Sequence, residues 1–182
     1  MTDVPTQREA IEVLTRQRAE LLALLERLPA RARTRPGLGG GDWSPKDLLG
    51  HLESWERHAL EALEAWARDE PAPVDVALRR DGLTAVNGRE VERRARRRYG
   101  RVASEAAATH ATLLEAIRSM PRARWVAPAT SRGRAALGVR LGRLLVGAGP
   151  FGHDRAHLRD LAAFVEDHAE AGARRGDVRG RS

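Results

Sequence analysis

Two histidines stand four residues apart, His153 and His157 in GHDRAHLRDLAAFV, and a third, His51, lies in WSPKDLLGHLESW. On a helix, residues i and i+4 project from one face a turn apart, so the first two imidazoles can converge on one point. A third ring nitrogen from a facing helix completes an open metal site with a position left for water. A cation held there lowers the pKa of that water toward neutrality, or activates a thiol or carbonyl in its place. Three neutral imidazoles suit Zn, Ni, Fe or Cu. The competing reading is structural: a lone histidine on an apolar face is usually a hydrogen-bonded core residue, and an i, i+4 pair also arises by chance. Spacing alone permits both. Asp47, Asp154 and Asp160 stand near enough in sequence to hold the remote ring nitrogens, although capping and surface solvation account for them as well or better. His58 is an accessory ligand or base, or more simply helix surface, and His110 and His168 are read as structural. Trp43 and Trp55 are read as packing at one end of the fold, with walls of a pocket as the alternative. Tyr99 could donate a proton to a substrate, but its Arg-rich surroundings do not set its direction.

Those side chains need helices to carry them. Thr6-Gln7-Arg8-Glu9 is a capping-box pattern, and Ile11, Leu14, Leu21, Leu22, Leu25 and Leu28 follow at helical spacing until Pro29. The next stretch, PARARTRPGLGGGD, is rich in Pro and Gly and reads as a connector. A second helix starts with Ser44 as N-cap, Pro45 at the first helical position and Asp47 in the first turn. Its buried stripe is Leu48, Leu52, Trp55, Ala59, Ala62 and Trp66, with His51 beside it. Pro71 and Pro73 end that helix, and a long connection through Asp81-Gly82 and Asn87-Gly88 leads to a third, expected from about Arg89 to Ser119. Val102, Ala106, Leu113, Leu114 and Ile117 form its apolar face. A fourth helix carries His153, His157, Leu158, Leu161, Phe164 and Val165 inward; it begins at Pro150, or continues through a kink from an earlier piece near Leu137. No window alternates with period two, and no repeat recurs at a fixed period. The expected fold is all-α: a four-helix bundle with long crossover connections, over residues 1–170, followed by a basic tail at 171–182 read as disordered.

Composition narrows the chemistry. The 182 residues contain no cysteine, which excludes disulfides, a thiol nucleophile and thiolate zinc ligation, so imidazole, carboxylate and water are the available metal ligands. The first residues do not read as a signal peptide, and the most apolar later segment is interrupted by Arg140 and Arg143, so a soluble, cytoplasmic protein without a membrane partner is expected. A net charge of +7 points toward nucleic acid at first sight. Lys46 is the only lysine, however, and an Arg-, Ala- and Gly-rich chain reflects a GC-rich genome as readily as a nucleic-acid surface. Arg94, Arg97, Arg98 and Arg101 read as a solvated outer face, with an anion-attracting face as the alternative. Two Phe and one Tyr supply few base-stacking platforms, which leaves nucleic acid a minor hypothesis.

Trp43-Ser44-Pro45-Lys46-Asp47-Leu48-Leu49-Gly50-His51-Leu52, Trp55-Glu56 and Gly152-His153-Asp154-Arg155-Ala156-His157-Leu158 together resemble the DinB-like (YfiT-like) four-helix bundles. Trp55-Glu56, Asn87 and GHDRAHL look most like the ClbS/DfsB branch, with the mycothiol-dependent maleylpyruvate isomerase branch next. The resemblance implies a divalent ion, zinc or nickel first, held by His51, His153 and His157. It also implies a reactive small molecule as substrate, handled by thiol transfer or hydrolysis in stress or detoxification. A low-molecular-weight thiol cosubstrate suits a chain that offers no thiol of its own, and a homodimer is in keeping with such bundles. ClbS/DfsB-like relatives imply the alternative, a protective binder that sequesters its ligand without metal.

Overall fold

The computed structural model describes residues 4–177, with side chains to His168. Helix α1, Gln7–Glu26, opens on the expected capping box: the Glu9 amide donates to the Thr6 hydroxyl at 3.2 Å, and the Thr6 amide to the Glu9 carboxylate at 2.7 Å. Leu14, Leu21, Leu25 and Leu28 are buried, whereas Leu22 is 40% exposed and lies off the stripe. Two 3-10 turns, Ala30–Thr34 and Leu38–Gly40, fold the connector against the bundle through Ala32 and Leu38. Helix α2, Pro45–Ala67, starts with a second capping box between Ser44 and Asp47, and all six stripe residues read from the sequence are buried.

The segment expected to be a long connection is instead mostly helix α3, Pro73–Arg94, packed on α2. Packing overrides local propensity here. Val74, Val86 and Glu90 bury against their neighbours, and Asn87 accepts from the Trp55 indole, so Asn87-Gly88 becomes helix rather than turn. Asp81-Gly82 keeps part of its turn character, since Gly82 has φ 78° and kinks α3 in the middle. Helix α4, Tyr99–Ser119, is separate from α3, which corrects the single helix expected from Arg89. The break is held by buried Lys46, whose ammonium donates to the carbonyls of Ala95 and Arg97 at 2.8 and 3.4 Å.

After the short α5, Arg122–Val126, comes α6, Leu137–Leu144, which is neither the start of the last helix nor a kinked extension of it. A loop then leads into α7, His153–Asp177. The α7 backbone is therefore helical past residue 171, into the segment assigned to the tail, and 178–182 lie outside the described residues. Helices α1, α2, α4 and α7 form the four-helix bundle, with α2 packed on α4 and α1 on α7. No strand forms among the described residues, only isolated bridges such as Pro128 to Ala136. Also among the described residues, no helix is long and apolar enough to cross a membrane.

Candidate metal centre

His51 sits in the second turn of α2 and is buried, with Trp43 packed against its ring at 4.9 Å between centroids. His153 and His157 occupy the first turns of α7. The position of that helix start is set by three features. Phe151 turns the chain with φ 58°, a left-handed conformation that costs a non-glycine residue about 1–2 kcal/mol. Burial of its ring on Trp125 opposes that cost. Gly147 and Gly152 let two backbone segments touch, since a Cβ on Gly147 would meet the Gly152 carbonyl at 2.5 Å. Finally, Asp154 accepts from Arg18 of α1 at 2.6 and 3.3 Å, a buried bidentate pair.

The three imidazoles meet. His51 Nε2 lies 3.1 Å from His153 Nε2, and one nitrogen from each of the three rings falls within 4.8 Å of the others. Two nitrogens each about 2.05 Å from a common ion stand about 2.9–3.3 Å apart at angles between octahedral and tetrahedral, so the closest pair has the spacing of a coordination edge. Burial pushes the His51 pKa down to about 2 and that of His153 to about 4, with repulsion from neighbouring imidazoles adding to it; His157 is lowered by burial as well. All three rings are therefore neutral at physiological pH, the form that offers a lone pair to a metal. The donor set and its spacing fit a divalent ion.

Among the described residues no carboxylate holds the remote nitrogens: Asp47 is spent on the α2 cap, Asp154 on Arg18, and the buried His51 Nδ1 has no partner there. Behind the site, Glu56 accepts from Arg18 at 3.1 Å and lies 2.6 Å from His110 Nδ1. His58, expected at the surface, is buried beside Glu61 and Glu90 and does not reach the triad. His168 Nδ1 lies 2.8 Å from the Phe164 carbonyl. Tyr99 packs under the Arg33 guanidinium at 5.2 Å, away from the histidines. The Arg-rich stretch is not uniformly a solvated face either: Arg94 is buried between Glu53 and Glu90, while Arg97 and Arg101 pair with Glu105 nearer the surface.

The triad opens into a cavity of about 510 Å³. Trp55 and Trp66 wall it from α2, Leu78, Leu83 and Asn87 from α3, and Arg140, Arg143 and Leu144 from α6. Trp55 is thus pocket wall as well as packing. Arg18, Trp66, Arg140 and Arg143 were not singled out as site residues by sequence reasoning. A signal existed for one of them: Arg18 shares the heptad register of Leu14, Leu21 and Leu25, where a charge demands a buried partner.

A family model described as the DinB superfamily matches residues 13–170. No curated protein and no solved structure matches the chain.

Proposed function

From the membership of this chain in the DinB superfamily, and from the convergence of one buried and two half-buried imidazoles, we propose that it is a divalent-metal-dependent enzyme that acts on a reactive small molecule. His51, His153 and His157 hold the ion, zinc or nickel, and the chemistry is thiol transfer or hydrolysis. The observation that carries this reading is the 3.1 Å approach of two neutral ring nitrogens, with the third within reach. Bound there, a divalent ion supplies Lewis acidity and lowers the pKa of a water or thiol toward neutrality.

The chain's own residues supply the rest. Among the described residues the cavity lining contains no Ser, Thr, Tyr, Lys or Cys, and its carboxylate, Asp75, is engaged by Arg140 at 2.9 Å. The nucleophile must therefore come from outside the chain, as water or as a small thiol. The indoles of Trp43, 4.9 Å from the His51 ring, and Trp55, 5.9 Å from the His153 ring, exclude bulk water from one side of the triad, which strengthens electrostatic interactions within it. Asn87 fixes the Trp55 ring through the 3.1 Å bond to its indole nitrogen.

Metal analysis of untagged protein tests the reading. Stoichiometric zinc or nickel is expected in the wild type, after reconstitution if necessary, and loss of it in His153→Ala. Wild-type protein that stays metal-free after reconstitution overturns it. One observation supports a second reading, a metal-free protective binder: 3.1 Å is also the length of a direct N–H to N hydrogen bond between His51 and His153. Consumption of an electrophile one-to-one with protein favours the binder, and catalytic turnover the enzyme.

A further inference from the structure

Outside the three histidines, the polar groups of the cavity that remain unspent are donors. Asp75, the acceptor among the charged lining residues, is already paired with Arg140, whose guanidinium is further locked over the Trp66 ring at 4.6 Å. Asn87 uses its carbonyl oxygen on Trp55, a group that can only donate, so its amide nitrogen is left to give. Arg143, on the same face of α6 as Arg140, makes no ion pair or hydrogen bond among the described residues and borders the cavity. With neutral imidazoles, the formal charges of Arg140, Arg143 and Asp75 leave the lining at net positive charge.

The remaining wall is apolar. Leu78, Leu83, Leu144 and Val146 complete it, and Leu83 and Val146 are more than half exposed, at 55% and 54%. Large exposed hydrophobic groups at the rim of a concave site mark surface that a ligand covers. Their placement is built into the fold. Gly138 packs on Trp125 and Gly142 on Phe151, which presses the glycine face of α6 into the core and turns Arg140, Arg143 and Leu144 toward the cavity. The Gly82 kink precedes Leu83 in α3.

We infer that this cavity takes an apolar organic acid, its carboxylate lodged at Arg143 and its hydrocarbon body lying along Leu78, Leu83, Leu144 and Val146. The inference deepens the metal-enzyme reading by naming its substrate class, and it rests on that reading for the reaction though not for the binding. A carboxylate gains a charge-assisted bond from Arg143, and an alcohol of equal length gains only the apolar contact. A cationic amine of that length meets a positive lining.

The test is calorimetric titration of the full chain, first treated with chelator and then loaded with zinc, using octanoate, octanol and octylamine as probes. Octanoate is expected to bind about tenfold or more tighter than octanol, and octylamine weakest. Arg143→Gln, an exposed position whose loss leaves the core intact, should bring octanoate down to the level of octanol while octanol is unchanged. Arg143→Lys should retain part of the preference. Equal binding of octanoate and octanol, an octanoate preference that survives Arg143→Gln undiminished, or no binding of any probe overturns the inference. Metal content measured on the same samples separates the two readings. Carboxylate preference without zinc uptake sinks only the metal centre, and zinc uptake without preference sinks only the substrate class.

Discussion

Arg18 is the residue on which the site's geometry most depends without belonging to it. Its side chain is 5% exposed and bridges Asp154 and Glu56, themselves 9% and 3% exposed, so one cation is shared between two buried carboxylates. Attraction to both carboxylates raises its pKa despite burial, so it stays charged. Asp154 follows His153 directly, and the pair thereby ties the start of α7 to α1. Arg18→Ala would leave Asp154 buried and unpaired, with Glu56 keeping only His110, a defect that costs about 3–5 kcal/mol. Urea denaturation should show that loss, and the triple variant Arg18→Met, Glu56→Gln, Asp154→Asn should recover much of it because no charge is then left buried. If Arg18→Ala is as stable as wild type, the bridge does not hold α7.

Among the elements, α6 shows most directly how packing aims side chains. An added Cβ at Gly138 would meet the Trp125 ring at 2.4 Å, and that ring cannot give way, being fully buried with its indole nitrogen donating to the Pro5 carbonyl at 2.6 Å. Gly138→Ala should therefore destabilise by about 1–3 kcal/mol, the usual penalty of overpacking. Gly88, within α3, has open space where its Cβ would stand. Gly88→Ala should instead stabilise by about 0.4–1 kcal/mol through helix propensity and lost unfolded-chain entropy. Thermal melts of the two variants should shift in opposite directions; a shift of the same sign in both would mean that α6 is not seated as described.

For the molecule as a whole, one buried and two half-buried imidazoles couple folding to pH. Their folded pKa values lie below the ordinary 6.5, at about 2 for His51 and about 4 for His153, with His157 also lowered. Between those values and 6.5 the unfolded chain binds more protons than the folded one, so their contribution is full above about 6.5 and is lost as pH falls below it. Carboxylates whose folded pKa values are lowered, such as Glu90, act in the same direction but only from about 4.5 downward. Metal-free protein should thus lose stability between about pH 6.5 and about pH 4.5, and His153→Ala should flatten that decline. A denaturation midpoint constant across that interval would show that the rings are solvated. Arg18, Arg57 and Arg94 pair with acids within the fold, and because each pair removes as much negative as positive charge, the net charge of +7 belongs to the rest of the molecule.

Patterns confined to neighbouring residues were readable directly from the chain. The capping boxes at Thr6 and Ser44, the α2 stripe and the shared face of His153 and His157 follow from helix periodicity and from backbone donors that a helix start leaves free. The superfamily was readable too, from the short motifs around His51 and in GHDRAHL. Features that depend on what lies opposite were not readable: the helix through Asn87-Gly88, the burial of Arg94 and His58, the break that Lys46 caps, and the donor-lined cavity under α6. Sequence spacing specifies which side chains share a face of one helix, but the partner across the gap, and with it the fate of a buried charge or an unpaired donor, is chosen by how the helices pack.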